Sequence, residues 1–292
     1  MKDTTRCVPL AFILTLLLLV GLAGCSTKII VPPVTMDAAR LQLNGKFVWF
    51  DLFTTDMTAA QNFYDRVFDW GFERSNEGNP QVKNILHRGQ FVGNMIGRNS
   101  TPDDSYWLSY ISVADTDHAY DAALGSGATS YASPKEMPNR GRVAVIVDSR
   151  MSLIGLLKSP VGDPPDVKPV AGQWVGTELW TDSLDDALAF YTRLGGYNAE
   201  SVTANDMVKY RLLSTNGRIR AGIVSTQRVD IAPQWVPYVA VENIQATMEL
   251  IRANGGRILL EPQMDVTSGR LALFSDPTGA VLGIREMEPE ED

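Results

Sequence analysis

The chain has 292 residues, 45% of them hydrophobic, and a formal net charge of −8. That is ample apolar mass for a full core and leaves no basic cluster of the kind a nucleic-acid backbone requires, so no nucleic-acid partner is expected. The two cysteines, Cys7 and Cys25, both lie near the start, so the body of the chain has no disulfide, free thiol or cysteine–zinc chemistry.

The N-terminus reads in three zones. Met1 to Arg6 carries Lys2 and Arg6, and Leu10 to Val20 is apolar except for Thr15. A positive start and a short apolar run describe a secretory signal; a permanent span would need about 20 apolar residues. Leu22-Ala23-Gly24-Cys25 resembles the bacterial lipobox. The resemblance implies cleavage before Cys25, a diacylglycerol on its thiol and an acyl chain on its new amino group, which together give stable membrane anchoring. Residues 1–24 are therefore expected to be a lipoprotein signal peptide and Cys25 the lipidation site; the alternative is an uncleaved hydrophobic anchor. Ser26, where Asp would mark retention at the inner membrane, implies an outer-membrane protein facing the periplasm. Loss of Lys2, Arg6 and Asp3, a net +1, would take the charge from −8 to −9.

Residues 25–44, with Pro32-Pro33 and little periodicity, read as a tether. In the first domain, expected over 45–159, Phe47–Phe53 reads as a strand. Met57–Phe68 reads as a helix, with Ala60, Phe63, Tyr64 and Val67 on one face. Val82–His87 and Phe91–Ile96 follow as strands. The order then recurs: a strand at Trp107–Val113, a helix at Asp115–Ser126, an extended stretch around Tyr131, and a hairpin at Arg142–Val147 and Leu153–Leu157. Residues 160–171, with Pro160, Pro164, Pro165 and Pro169, form a linker, since proline at that density disfavours helix and interior strand. A second domain spans 172–288, and 289–292 is an acidic tail.

The two domains repeat each other. Asp51-Leu52 matches Glu178-Leu179 and Phe63-Tyr64 matches Phe190-Tyr191, both offset by 127. Trp107-Leu-Ser-Tyr110 matches Trp235-Val-Pro-Tyr238, and Gly141-Arg142, Asp148 and Gly155 match Gly269-Arg270, Asp276 and Gly283, all offset by 128. Each domain also divides into two strand–helix–strand–strand–strand units.

This quartet of βαβββ units resembles the vicinal oxygen chelate superfamily, the glyoxalase/bleomycin-resistance/dioxygenase fold. The carrying motifs are Trp49-Phe-Asp-Leu-Phe-Thr-Thr-Asp56, Phe63-Tyr64 and Trp107-Leu-Ser-Tyr110, with Glu178-Leu-Trp-Thr-Asp182, Trp235-Val-Pro-Tyr238 and Asp276-Pro-Thr-Gly in the second half. The resemblance implies an α+β fold of two tandem domains, each a pair of units curled into a half-open barrel whose mouth holds a small molecule, often over a metal. At the positions where such relatives carry metal ligands, this chain has Trp49, Leu108 and Gly155, then Gly176, Val236 and Gly283. None can ligate a divalent cation. His87 and His118, the only histidines, lack a partner at ligand spacing. No metal and no cofactor is expected, and the warrant for metal-dependent glyoxalase or dioxygenase activity falls away.

Strand alternation gives the face that lines each cup. In the first cup it selects Trp49, Asp51, Phe53, Leu108, Tyr110, Ser112 and Gly155; in the second Glu178, Trp180, Val236, Tyr238, Gly283 and Arg285. Gly155 and Gly283 are expected to make room for a ligand, and Asp51 or Glu178 to receive its amine or hydroxyl. Two readings stand side by side: open cups for a small apolar or aromatic molecule, or filled barrels with the carboxylates paired to Arg142 and Arg270. The corresponding functions are a tethered binding or sequestering protein, a divergent lyase or isomerase using a cup carboxylate, and an envelope scaffold.

Overall fold

The computed structural model describes residues 31–37, 39–75, 80–99, 105–205, 208–225, 231–263 and 269–288. The expected signal peptide, Cys25, the first part of the tether and the acidic tail lie outside the described residues. The first half runs β1 (Phe47–Thr54), α1 (Met57–Phe68), β2 (Gly71–Arg74), β3 (Val82–His87), β4 (Gln90–Gly97), β5 (Tyr106–Ser112), α2 (Thr116–Gly125), β6 (Thr129–Met137), β7 (Gly141–Val147) and β8 (Leu153–Lys158). The second half repeats it as β9 (Trp174–Thr181), α3 (Leu184–Gly195), β10 (Asn198–Asn205), β11 (Val208–Thr215), β12 (Arg218–Ser225), β13 (Gln234–Val241), α4 (Ile244–Ala253), β14 (Arg257–Leu260), β15 (Leu271–Ser275) and β16 (Val281–Glu286).

Each half is one eight-stranded sheet. Their orders are β2-β3-β4-β1-β5-β8-β7-β6 and β10-β11-β12-β9-β13-β16-β15-β14. In both, the opening strands of the two units pair antiparallel at the centre, and each pairs in parallel with the last strand of its own unit. This is the α+β tandem architecture that the sequence implied.

Local chemistry explains the elements. Asp56 caps α1 by accepting from the backbone N–H groups of Thr58 and Ala59, each at 2.9 Å, which satisfies donors the helix cannot. The helix stops at Asp69, in the left-handed region at φ 56°, and buries Ala60, Phe63, Tyr64, Val67 and Phe68. Helix α2 is shorter by one residue at each end than its expected span. Asp115 is its N-cap and Ser126 its C-cap. Strand β2 left no signal in the sequence because Gly71, Glu73 and Arg74 are exposed and present no alternation.

The helices lie between the two sheets. Helix α1 and the outer faces of β1 and β4 share one core with α4, β13, β15 and β16 of the other half. The second core joins α2, β5, β7 and β8 to α3, β9 and β12. Unit one thus packs on unit four, and unit two on unit three. The repeated motifs are the fasteners. The Tyr64 hydroxyl donates to Asp276 at 2.9 Å, and the Tyr191 hydroxyl donates to Asp148 at 2.8 Å. The other oxygen of each aspartate holds its own turn, accepting from Thr278 and Ala280 in one case and from Arg150 and Ser152 in the other. Trp107 donates to Tyr64 at 2.9 Å, and Trp235 stands edge-on to Tyr191 with ring centroids 4.9 Å apart.

The described part of the expected tether is not a free leash. Val31, Pro32 and Val34 are buried, Leu43 donates its N–H to Asp163 of the linker at 2.6 Å, and the Asp163 N–H donates to the Leu41 carbonyl at 2.7 Å. Pro32 and Pro33 gave no periodicity to read, and short apolar side chains fit a surface depression without it. Ser112, expected in the first cup, instead donates to Asp163 at 2.7 Å.

Candidate functional site

The first cup is built on register. Asp51 of β1 pairs with Asn94 of β4 on one side and Leu108 of β5 on the other. Two residues earlier, Trp49 pairs with Tyr110, which pairs with Gly155 of β8. Because side chains alternate along a strand, Trp49, Asp51, Asn94, Leu108 and Tyr110 converge. The Trp49 indole N–H donates to Asp51 at 2.7 Å, and the Tyr110 hydroxyl also hydrogen-bonds this carboxylate. Arg140, from the β6–β7 turn, holds its guanidinium carbon over the Trp49 ring, 3.9 Å from the centroid, and donates to the Asn94 side-chain oxygen at 2.9 Å. Only 2% of Arg140 and 6% of Asp51 is exposed. Burial pushes the Asp51 carboxyl up against the opposing pull of the Arg140 charge and the Trp49 and Tyr110 hydrogen bonds. Burial likewise lowers the Arg140 guanidinium. Phe53 packs partly buried against this cluster, stacked on Tyr106 with centroids 5.1 Å apart.

The second cup repeats the frame with other side chains. Glu178 pairs with Gly222 of β12 and Val236 of β13; Tyr238 pairs with Gly176 and with Gly283 of β16. Glu178 accepts from the Tyr210 hydroxyl at 2.9 Å, from the Tyr238 hydroxyl at 2.7 Å and from Arg285 Nη2 at 2.8 Å. Trp180 donates its indole N–H to the Tyr238 hydroxyl at 2.8 Å. Burial, then the Glu178 charge, raises both tyrosines above their ordinary value, so they stay neutral donors. Burial opposes the Arg285 cation, but Glu178, Tyr238 and Tyr210 together outweigh it and hold the guanidinium above its ordinary value.

The cups differ in what they enclose. In the first, Trp49, Leu108 and Tyr110 are almost wholly buried with Val34, Val143, Val145 and Leu157 in one cluster. The second holds a cavity of about 580 Å³ lined by Val175, Glu178, Trp180, Tyr210, Val224 and Arg285, among others.

Several expectations are corrected. The carboxylates do not pair with Arg142 and Arg270. Arg142 lies outside, on Asp117, and Arg270 pairs with Glu288 in the wall of the second cavity. Arg285 takes the place on Glu178, while Arg140 faces Asp51 with its charge and gives its hydrogen bonds to Asn94 and the Pro32 carbonyl. Asp51 already accepts from the Trp49 indole and the Tyr110 phenol, and Glu178 from two phenols and a guanidinium, so donors of the chain itself stand where a ligand donor was expected. Gly155 and Gly283 make room for tyrosine rather than ligand: a Cβ would lie 2.0 Å from the Tyr110 ring and 2.2 Å from the Tyr238 ring. Arg140, Asn94 and Tyr210 were not singled out by the sequence reading. Asn94, a lone amide in the apolar run Phe91–Ile96, was the available signal.

The residues at the expected metal positions do not fit a divalent ion. Indole, isobutyl and isopropyl groups and bare glycines supply no ligand, and the tyrosine rings occupy the space over Gly155 and Gly283. Among the described residues, no three His, Cys, Asp or Glu side chains gather at one point. His118 is exposed at the start of α2, and His87 is buried against Gly172.

Comparison with known proteins points one way. Residues 173–284 match the model of the Glyoxalase/Bleomycin resistance protein/Dioxygenase superfamily. The chain is 27% identical over 248 residues to the putative glyoxylase CFP32 of Mycobacterium bovis, covering 83% of this chain and 95% of that one. It is 26% identical over 266 residues to the anthracycline biosynthesis protein DnrV of Streptomyces peucetius, covering 83% and 94%. Among solved structures, the Mn(II)-bound glyoxalase from Novosphingobium aromaticivorans superposes with a TM-score of 0.59 at 16% identity, over 84% of this chain and 83% of that one. The 2,3-dioxygenase LapB from Pseudomonas sp. KL28 gives 0.56 at 13% identity, over 85% and 96%. At such identities the likeness extends to the fold alone.

Proposed function

For a glyoxalase-like chain, whose second domain matches the glyoxalase superfamily model and whose two halves share that superfamily's paired fold, we propose a binding role. The second cup captures a small, flat, partly apolar organic molecule without a metal, on a protein tethered to the cell envelope through Cys25. The observation that carries this reading is the roughly 580 Å³ cavity beside Trp180, Tyr210 and Arg285. That volume lies in the range of sites for small organic ligands, and its wall sets aliphatic and aromatic groups such as Trp180, Tyr210 and Val224 beside the charged side chains of Glu178, Arg270 and Arg285. The Trp180 and Tyr210 rings offer faces for stacking. Arg285, whose side chain is 40% exposed, offers N–H donors beyond those Glu178 takes. The ligand should therefore present acceptor oxygens, such as carbonyl or phenolic groups, rather than an amine. One relative is named for glyoxylase activity and another for anthracycline biosynthesis; handling of a small organic molecule accommodates both.

The lyase or isomerase reading is weaker. A general base needs a free lone pair within reach of a substrate proton. Three of the roughly four lone-pair positions of Glu178 are taken by donors of the chain, and Asp51 is sealed from solvent.

Thermal shift and tryptophan quenching with a panel of hydroxylated quinones, alongside cationic aromatics as contrast, test the proposal. The quinones should raise the melting temperature and quench fluorescence, and Trp180→Ala should abolish both. If no compound binds at millimolar concentration, or if Trp180→Ala binds as well as the parent, the proposal fails. Tethering is tested separately. Cys25→Ser should move the protein from the membrane to the soluble fraction and remove the acyl mass, because each buried CH₂ contributes about 0.8 kcal/mol to anchoring; an unchanged distribution counts against it.

A further inference from the structure

Where the second cup encloses space, the first holds a piece of its own chain. Val31 and Val34 are 4% and 6% exposed. Val34 packs in the cluster of Trp49, Leu108, Tyr110 and Leu157. The Pro32 carbonyl accepts from Arg140 Nε at 3.1 Å, and the same guanidinium spreads over Trp49 and binds Asn94. Among the described residues no backbone–backbone hydrogen bond ties residues 31–37 to the body, and Pro32 and Pro33 have no N–H to give. The segment is held by apolar contact and by one arginine reaching for a carbonyl.

Fully burying an arginine in a cup of indole, phenol and aliphatic groups is costly unless its donors are met. A carbonyl beside a branched aliphatic group meets that demand here. We infer that the first cup is a binding site for acylated amino acids or short peptides with that chemistry, and that Val31–Val34 is its built-in competing occupant. The recognition elements are Arg140 for the carbonyl and the Trp49–Leu108–Tyr110–Leu157 wall for the branched side chain. An external ligand of this class enters by displacing the segment. The inference is independent of what the second cup holds.

The chain offers a clean probe because Cys7 and Cys25 are its only thiols. In the full-length chain with both replaced by serine, Val34→Cys places a reporter in the cup, and Met36→Cys, at a position 80% exposed, serves as the open control. Reaction with a disulfide reagent should be at least about 100-fold slower at position 34, since it requires local opening. A short intramolecular occupant competes at an effective concentration in the millimolar range. N-acetyl-prolyl-valinamide at about 10 mM or above should therefore speed labelling of Val34→Cys several-fold and saturably, while leaving Met36→Cys unchanged. Equal rates at the two positions would show that the segment does not occupy the cup. A slow position 34 that the peptide never accelerates would show that the cup does not take this chemistry. Circular dichroism checks that each variant folds, and Val31→Cys supplies the same reading if Val34→Cys does not.

Discussion

Position for position, the first cup carries Trp49, Asn94 and Leu157 where the second carries Gly176, Gly222 and Arg285. The backbone register around these residues is the same, so the contrast is made by side chains and by the segment Val31–Val34 docked on the first cup. An indole and an amide fill the first cup and recruit Arg140 from a turn, and Val31–Val34 completes the packing. In the second, Gly176 leaves open space, the Tyr210 hydroxyl closes over Gly222 so that a Cβ there would lie 2.4 Å away, and the arginine arrives from β16. A duplicated frame has given one cup the character of a core and left the other room. The fasteners between the halves, Tyr64–Asp276 and Tyr191–Asp148, have not diverged.

The largest contrast should come from the two arginines. Arg140→Ala removes the charge that opposes Asp51 and leaves the buried Asn94 and Pro32 oxygens without their donor, at about 1–3 kcal/mol for each orphaned group. Arg285→Ala leaves Glu178 with two tyrosine donors and a cavity that water can enter, and should cost about 1–2 kcal/mol. Urea unfolding of the two variants measures both, and equal losses would break the distinction between a sealed and an open cup. The glycines come next. Overpacking typically costs about 1–3 kcal/mol; Gly155→Ala and Gly283→Ala should both fall at the top of that range, because each new methyl meets the ring of a buried tyrosine. Tyr64→Phe and Tyr191→Phe each remove a donor to a buried aspartate, for about 1–2 kcal/mol apiece, and Tyr64→Phe should cost the more because it also takes the acceptor of the Trp107 N–H. A larger loss at Tyr191 would reverse that order and mean that the halves differ in energy in a way their hydrogen bonds do not explain.

The sequence made the frame legible because alternation and helical spacing depend on burial, and burial is regular here. The apolar face of α1 and the offset repeat located both sheets. The cup-facing sets were legible too: Trp49, Asp51 and Tyr110 do converge, as do Glu178, Trp180, Tyr238 and Arg285. What the carboxylates bind was not. Arg140 comes from a turn, and Arg142, two residues on, was the more visible choice because it repeats as Arg270; repetition marked outward-facing residues as readily as inward ones. The role of the glycines was also hidden. A bare position reads as space, and only the ring of a neighbouring strand's tyrosine shows that the space is taken. Val31–Val34 escaped notice because a short docked segment has no period.

The smallest effect concerns what holds the two cups in fixed relation. Asp166 of the linker binds Lys46 at the entrance to β1 at 2.9 Å and Arg220 of β12 at 2.7 Å, so one carboxylate bridges the halves. Burial alone would raise its pKa, but the hydrogen bonds and charges of Arg220 and Lys46 outweigh this and bring it to about 2, from 3.8. A depressed carboxyl stabilises the fold above its unfolded value and loses that contribution as pH falls toward its folded value. The contribution should therefore be complete above pH 4 and fade between about pH 4 and 2. Discounted for partial solvent exposure, it should be worth roughly 1 kcal/mol. Asp166→Asn removes it at every pH. The stability difference between parent and variant should hence be constant from pH 7 to about pH 4 and shrink below that. A difference that stays the same down to pH 2 would mean that the bridge contributes geometry without charge, and that the shared cores of α1 with α4 and α2 with α3 alone set how the cups face.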